Sequence, residues 1–231
     1  EINMMDTYFK KGIADRNAVF EVFYRKEPFG NGYAVYAGLE HVIDYLKNLK
    51  FKESDLQYLK EQEDYDDDFI DYLRNLKLKL TIRSMREGEL VFANEPILQV
   101  EGPLAQCQLV ETAILNIINF QTLLATKAAR IKLAVQDDSI MEFGSRRAQE
   151  TDAAIWGTRA AYIGGFDSTS NVRAGKLFNI PISGTHAHSL VEAFGSEYEA
   201  FKAYAETHKD CVFLVDTYDT VRSGVPNAIK V

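Results

Sequence analysis

"SIMEFGSRRAQETDAAIWGTRAAYIGGFDS", residues 139–168, decides the fold class. A short apolar run, SIMEFG, gives way to RRAQETDAAIWGTRAAYI, whose apolar residues recur at helical spacing. A second short apolar run, GGFDS, follows, and the same beat continues downstream. NVRAGKLF reads as a helix, NIPIS as a strand, and the next helix runs from Ser189 to about His208. CVFLVD then reads as a strongly apolar strand ending in Asp216. Strand followed by helix, repeated four times, predicts an α/β fold with a parallel sheet or barrel.

Upstream the beat is irregular. VFEVFYR (19–25) alternates like a strand, PFGNG reads as a turn and YAVYAG as an extended run. LEHVIDYLKNL has helical spacing, and SDLQYLKEQ opens on a capping box of Ser54 and Gln57. LKLTIRSMREGELVF and PILQVEG read as antiparallel strands around Glu87-Gly88. Pro103 then starts a long apolar helix reaching about Gln136. The composition changes between 103 and 138, which places the domain boundary there. The chain opens at Glu1 inside a helical run, EINMMDTYF, and closes inside VPNAIKV, so a piece of a longer protein is expected.

The chain has 231 residues, 46% of them hydrophobic and 26% charged, as in an ordinary globular protein. Its net charge of −8 argues against nucleic acid as a partner, because a phosphate backbone demands a basic face. No apolar run is read as long enough to span a bilayer, and no secretory pattern opens the chain, so no membrane is expected. Cys107 and Cys211 sit in apolar surroundings and read as buried thiols of a reducing compartment. An anionic ligand must then be held by local Arg, Lys and helix N-termini.

Chemistry-bearing residues gather where the apolar strands end: Arg146 and Arg147, then Asp167 and Ser168, then Thr185 and His188, then Asp216 and Asp219. In parallel β/α folds those ends converge on one rim, where sites are built. Ser189 and Glu192 form a capping-box pattern, which starts a helix just after His188 and sets that histidine beside free N–H groups. The helix dipole disfavours an imidazolium there but favours a phosphate carried or bound by the ring. Asp216 is placed to orient the imidazole. A histidine bonded to a backbone carbonyl is the alternative, and spacing does not choose between them. The arginine pair suits a carboxylate or phosphate, or a solvated helix start. Phe143 suits a flat ring, or the core. EDYDDDFID (63–71) reads as a solvated helix start, and His41 and His208 as structural.

Five segments in order, FYRKEPFGNGYAVYAG, FGSRRAQ, GGFDSTSN, GTHAHS and VDTYDT, resemble the nicotinate phosphoribosyltransferase family over essentially the whole chain. The resemblance implies the type II phosphoribosyltransferase architecture: an open α/β sandwich with a linking helix over 1–120 and an incomplete, irregular β/α barrel over 121–231. It implies transfer of phosphoribosyl from 5-phosphoribosyl 1-diphosphate to nicotinate in NAD salvage, coupled to ATP, with substrate-held Mg²⁺, in a cytoplasmic homodimer. His188 matches the histidine that ATP phosphorylates and Asp216 the aspartate paired with it. Thr185 matches a nicotinate-contacting position. Phe143 and Arg146 match residues framing ring and phosphate in the related nicotinamide enzyme, and Asp167 matches its amide-reading aspartate. With Arg147, Ser168 and Asp219 these complete the expected substrate-binding set. His186 receives no catalytic role.

The same likeness places a nicotinate-contacting tyrosine before Glu1 and further ligand residues after Val231, so this piece alone is expected to be inactive. Three other readings compete: a nicotinamide-specific relative, a non-catalytic barrel binding a pyridine or phosphate, and a β/α-barrel lyase or aldolase. The last wants a lysine at a strand end for Schiff-base chemistry, and the four rims offer none.

Overall fold

The computed structural model describes residues 1–30 and 32–231. The expected PFGNG turn includes Asn31 and so falls partly outside the described residues. The chain forms two compact units, Glu1–Asp167 and Ser168–Val231.

The first unit runs α1 (Ile2–Lys10), β1 (Asn17–Val22), β2 (Ala34–Val35), α2 (Leu39–Asn48), α3 (Glu53–Gln62), α4 (Asp67–Arg74), β3 (Thr81–Ser84), β4 (Leu90–Val91), β5 (Leu98–Pro103), α5 (Leu104–Val135) and α6 (Glu150–Ile163). β5 is the centre of an antiparallel sheet ordered β1-β5-β3, with Val100 opposite both Phe20 and Ile82. Leu98 and Val100 turn inward and Gln99 and Glu101 outward, the period of two that buries one face. Of the expected antiparallel strands, LKLTIRS and PILQVEG do pair, but no hairpin closes at Glu87-Gly88. β3 pairs with β5, whereas β4 pairs with β2, because residues 85–89 swing across to the Tyr36 backbone.

α5 organises the unit. Pro103 is its N-cap, and no glycine or proline interrupts the 32 residues that follow. Its first half lays Cys107, Val110, Ile114 and Ile118 on the sheet, each burial worth roughly 1.5–3 kcal/mol for the larger side chains. Its second half does a strand's work with hydroxyls. Thr126 Oγ1 accepts the Val35 N–H at 2.9 Å, and Thr122 Oγ1 accepts from Ala37 at 3.2 Å while donating to the Ala37 carbonyl at 3.1 Å. Contrary to the expectation above, α5 is long and apolar enough by length and composition to cross a membrane. The buried Gln121, Thr122 and Thr126 and the sheet on its face mark it as the core helix of this unit. α6 packs on α5 so closely that a Cβ on Gly164 would meet the Ala125 carbonyl at 2.5 Å.

α1, α3 and α4 form a separate apolar cluster of Met5, Leu56, Phe69, Ile70 and Leu73. α3 starts earlier than its sequence pattern suggests: the Asp55 carboxylate closes on the Lys52 N–H at 2.8 Å, so Ser54 and Gln57 make no capping box. The acidic run 63–71 does open α4, with Asp66 as N-cap. The expected domain division after residue 120 falls inside α5. Cys107 is buried and Cys211 only half-buried.

The second unit holds α7 (Val172–Phe178), α8 (His188–Phe194), α9 (Glu197–Thr207), a wide helical turn at Thr220–Gly224 and α10 (Val225–Lys230). Two expected elements differ. The helix from Ser189 to His208 is broken at Gly195, whose φ of 69° ends α8, and Ser196 caps α9 afresh. CVFLVD joins no strand ladder among the described residues. The N–H of Leu214 goes to the His186 ring instead of to a neighbouring strand. Among the βα repeats, NIPIS contributes a single parallel bridge, Ile182 to Thr169. The architecture is α/β, with no closed barrel among the described residues.

Candidate functional site

The expected site residues fall into two sets, one in each unit. In the second unit, GTHAHS and VDTYDT lie side by side. His188 Nε2 faces Asp216 Oδ1 at 3.8 Å, a charge contact longer than a hydrogen bond, with both side chains more than half exposed. His188 Nδ1 lies 3.2 Å from Thr217 Oγ1. Thr217 was not singled out in the sequence, although its place next to Asp216 in VDTYDT was a usable signal.

The cap differs from the sequence pattern. Ala187 is the N-cap, His188 is already the first helical residue, and the Leu190 N–H bonds to the Ala187 carbonyl at 3.0 Å. The Ser189–Glu192 box therefore does not form, and the imidazole, not a loop, occupies the helix start. Thr185 is half-buried and donates its hydroxyl to the His186 carbonyl at 2.9 Å. Asp219 caps the wide turn, its Oδ1 accepting from Val221 at 3.1 Å and Arg222 at 2.8 Å. Ser168 is half-buried at the head of the unit.

His186 and His188 have opposite surroundings. His186 is buried, with its ring edge-on to Tyr204 at 5.2 Å and against Phe201 and Phe213. Its Nε2 accepts the Leu214 N–H at 3.0 Å, which leaves Nδ1 to donate to the Ala187 carbonyl at 3.2 Å.

In the first unit, Phe143 and Arg147 border a cavity of ≈ 400 Å³ between α5, α6 and residues 142–149. Phe120, Leu124 and Ile131 supply apolar wall and Lys127 a cation. Arg146 and Arg147 share a short helical turn, Ser145–Arg147, but Arg146 is not in that wall. Glu142 at the cavity accepts from Thr158 Oγ1 at 2.8 Å and from the Gly144 N–H. Asp167 lies apart from this wall. Its carboxylate takes the Ile140 N–H at 2.7 Å and faces Lys132 Nζ at 3.4 Å, and the Ile140 bond above all holds its pKa below the usual carboxylate value. Lys132 and Glu142 escaped the sequence reading because one is on a helix far upstream and the other looked like an ordinary strand residue. Among the described residues, no three His, Cys, Asp or Glu side chains are gathered as a metal cage.

A family model described as the nicotinate phosphoribosyltransferase (NAPRTase) N-terminal domain matches residues 1–119. The chain is 66% identical over 231 residues to the nicotinate phosphoribosyltransferase of Bacillus subtilis (strain 168), covering 100% of this chain and 47% of that protein. It is 38% identical over 283 residues to the Caenorhabditis elegans nicotinate phosphoribosyltransferase, covering 100% of this chain and 50% of that one. A crystal structure of human nicotinic acid phosphoribosyltransferase superposes with a TM-score of 0.89 at 33% identity, over 97% of this chain and 55% of that one. A nicotinate-nucleotide pyrophosphorylase from Pyrococcus furiosus shares the fold, with a TM-score of 0.76 at 24% identity over 94% of this chain and 49% of that one. The chain spans about half the length of the curated relatives it matches.

Proposed function

This chain belongs to the nicotinate phosphoribosyltransferase family, and we propose from that premise that the protein carrying it joins nicotinate to 5-phosphoribosyl 1-diphosphate. The products are nicotinate mononucleotide and pyrophosphate, and the place of the reaction is NAD salvage in the cytoplasm. The observation that carries the reading is the exposed His188, set between Asp216 at 3.8 Å and the Thr217 hydroxyl at 3.2 Å.

ATP hydrolysis is coupled through that histidine. With Nε2–H turned to Asp216, the lone pair of Nδ1 attacks the γ-phosphorus of ATP. An N–P bond forms, the P–O bond to the β-phosphate breaks and ADP leaves with its electrons. The Thr217 hydroxyl, 3.2 Å from Nδ1 and the donor to that lone pair before ATP binds, turns from the nitrogen to the arriving phosphoryl oxygens. The added charge remodels the rim for the phosphoribosyl substrate.

In the transfer itself the pyridine nitrogen attacks C1 of the ribose, so no general base is needed to make the nucleophile. Positioning and electrostatics carry the barrier reduction through an oxocarbenium-like transition state. Phe143 stacks on the ring, and Arg146 and Arg147 hold carboxylate or phosphate. Asp167, Ser168 and Thr185 are assigned substrate contacts by the family resemblance alone. Mg²⁺ brought in with the substrate would be held by pyrophosphate oxygens with help from the exposed carboxylates of Asp216 and Asp219, and would supply charge neutralisation for the leaving group. A homodimer is the partner arrangement. Its support is the edge of β1, unpaired among the described residues, where Val19 and Phe23 are about half exposed beside Leu115 of α5.

Incubation with γ-labelled ATP tests the coupling. Wild type is expected to take acid-labile label and His188→Asn none. Label on both moves the acceptor elsewhere. A protein that makes nicotinate mononucleotide without label keeps the transferase and loses the phosphohistidine.

A further inference from the structure

We propose that His186 is a positioning residue for the His188–Asp216 pair, acting as a side-chain substitute for one rung of a strand ladder. This rests on the phosphoryl-transfer reading of that pair. His186 and Leu214 meet at 3.0 Å, ring Nε2 to backbone N–H, and two residues further along each segment His188 and Asp216 face each other. A single residue separates the two contacts on each segment, so the contact at 186 and 214 fixes the register of the contact at 188 and 216. Ala187, between the two histidines, is extended, with φ −102° and ψ 164°.

A ladder would normally set that register, but residues 211–216 join none among the described residues. One buried imidazole does it instead, and the ring is itself fixed. Its second nitrogen is committed to the Ala187 carbonyl, and Phe201, Tyr204 and Phe213 surround it. A slip of one residue between the two segments would take Asp216 away from His188 Nε2 and Thr217 away from Nδ1. His186 touches no reacting atom in this arrangement. Its effect travels through the Leu214 backbone.

The test compares His186→Phe, which keeps an aromatic ring but lacks the acceptor, with His186→Gln, which keeps an acceptor at similar reach. In wild type, nitrogen NMR of the His186 ring is expected to show Nε2 without a proton and Nδ1 with one. Hydrogen exchange at the Leu214 amide should quicken in His186→Phe and stay slow in His186→Gln. Labelling of His188 by γ-labelled ATP should fall roughly 10- to 100-fold in His186→Phe, with KM for nicotinate nearly unchanged, and recover in His186→Gln. If His186→Phe does not fold, His186→Met carries the same expectation.

A His186→Phe protein that loses Leu214 protection yet labels at the wild-type rate overturns the positioning role. Unchanged Leu214 exchange overturns the clamp itself. A wild type with the Leu214 bond in place and no label anywhere removes the phosphohistidine reading, and the role of His186 goes with it.

Discussion

Arg159 on α6 grips Glu87 with both terminal nitrogens, at 2.8 and 2.7 Å, and Glu87 in turn accepts the N–H groups of Gly38 and Leu39 at the start of α2, at 2.6 and 3.1 Å. One carboxylate thus joins three pieces of the first unit: the 85–89 loop, α2 and α6. Burial alone would raise the Glu87 pKa. The guanidinium and the two N–H groups outweigh it and hold the carboxylate below its ordinary value.

Arg159→Leu leaves that carboxylate largely buried without its partner, and the first unit should lose about 3–5 kcal/mol. Because the folded pKa of Glu87 is depressed, its stabilisation is present above the unfolded value of 4.5 and is lost as pH falls through the folded one. Urea melts at neutral and acid pH check both points: wild type should lose stability across that window, and the variant should lose less.

His41 and Trp156 stack at 3.8 Å and 8°, and Gln121 Nε2 meets His41 Nδ1 at 3.1 Å. Burial lowers the His41 pKa from 6.5, with Asp44 and Asp152 opposing and Arg159 reinforcing the shift. Above 6.5 both folded and unfolded chains carry a neutral ring, so the stability is complete. As pH falls below that value, only the unfolded chain takes the proton at first, and stability drops until the folded pKa is passed. Trp156 is the one tryptophan, so its fluorescence reports the titration directly. His41→Phe should remove the pH step and keep the stack.

Gly224 has helical angles, φ −58° and ψ −55°, so alanine there gains about 1 kcal/mol of helix propensity. Sterics decide otherwise. A Cβ would lie 1.8 Å from the Val215 carbonyl oxygen, an overlap that only backbone movement relieves. Gly224→Ala should therefore destabilise the second unit by about 1–3 kcal/mol. It should also displace Asp216, next to Val215, and cut phosphohistidine formation. Thermal melts and γ-phosphate labelling read the two effects separately.

Asp216→Asn should slow labelling of His188 roughly 10- to 100-fold, since a neutral amide no longer fixes which ring nitrogen holds the proton. Phosphorus NMR of the labelled wild type should show the Nδ1 isomer, the nitrogen facing Thr217. The Nε2 isomer would reverse the orientation derived above.

Elements whose identity is local were legible in the sequence. α5 followed from Pro103 and an unbroken apolar run, and α4 from its acidic start. Elements that depend on a distant partner were not. CVFLVD has strand composition, yet its Leu214 N–H is taken by a side chain 28 residues away, which no periodicity reveals. β3 and β4 look like a hairpin, but their partners are β5 and β2. Among the candidate residues, the nearness of His188 and Asp216 was legible because each follows an apolar run. His186 was passed over because its work is done through a backbone amide, and Lys132 because its carboxylate partner lies in another element.

α5 contributes Ile114 and Ile118 to the sheet's apolar cluster, Ala105 to that of α1, α3 and α4, and Ala125 to a third beneath α6. A single rod common to three clusters couples their melting. None can open without fraying a helix the other two hold shut, so the first unit should unfold in one cooperative step. Amide protection should then run nearly level along α5, from the turn after Pro103 to the turn before Gln136, and fall only at its ends.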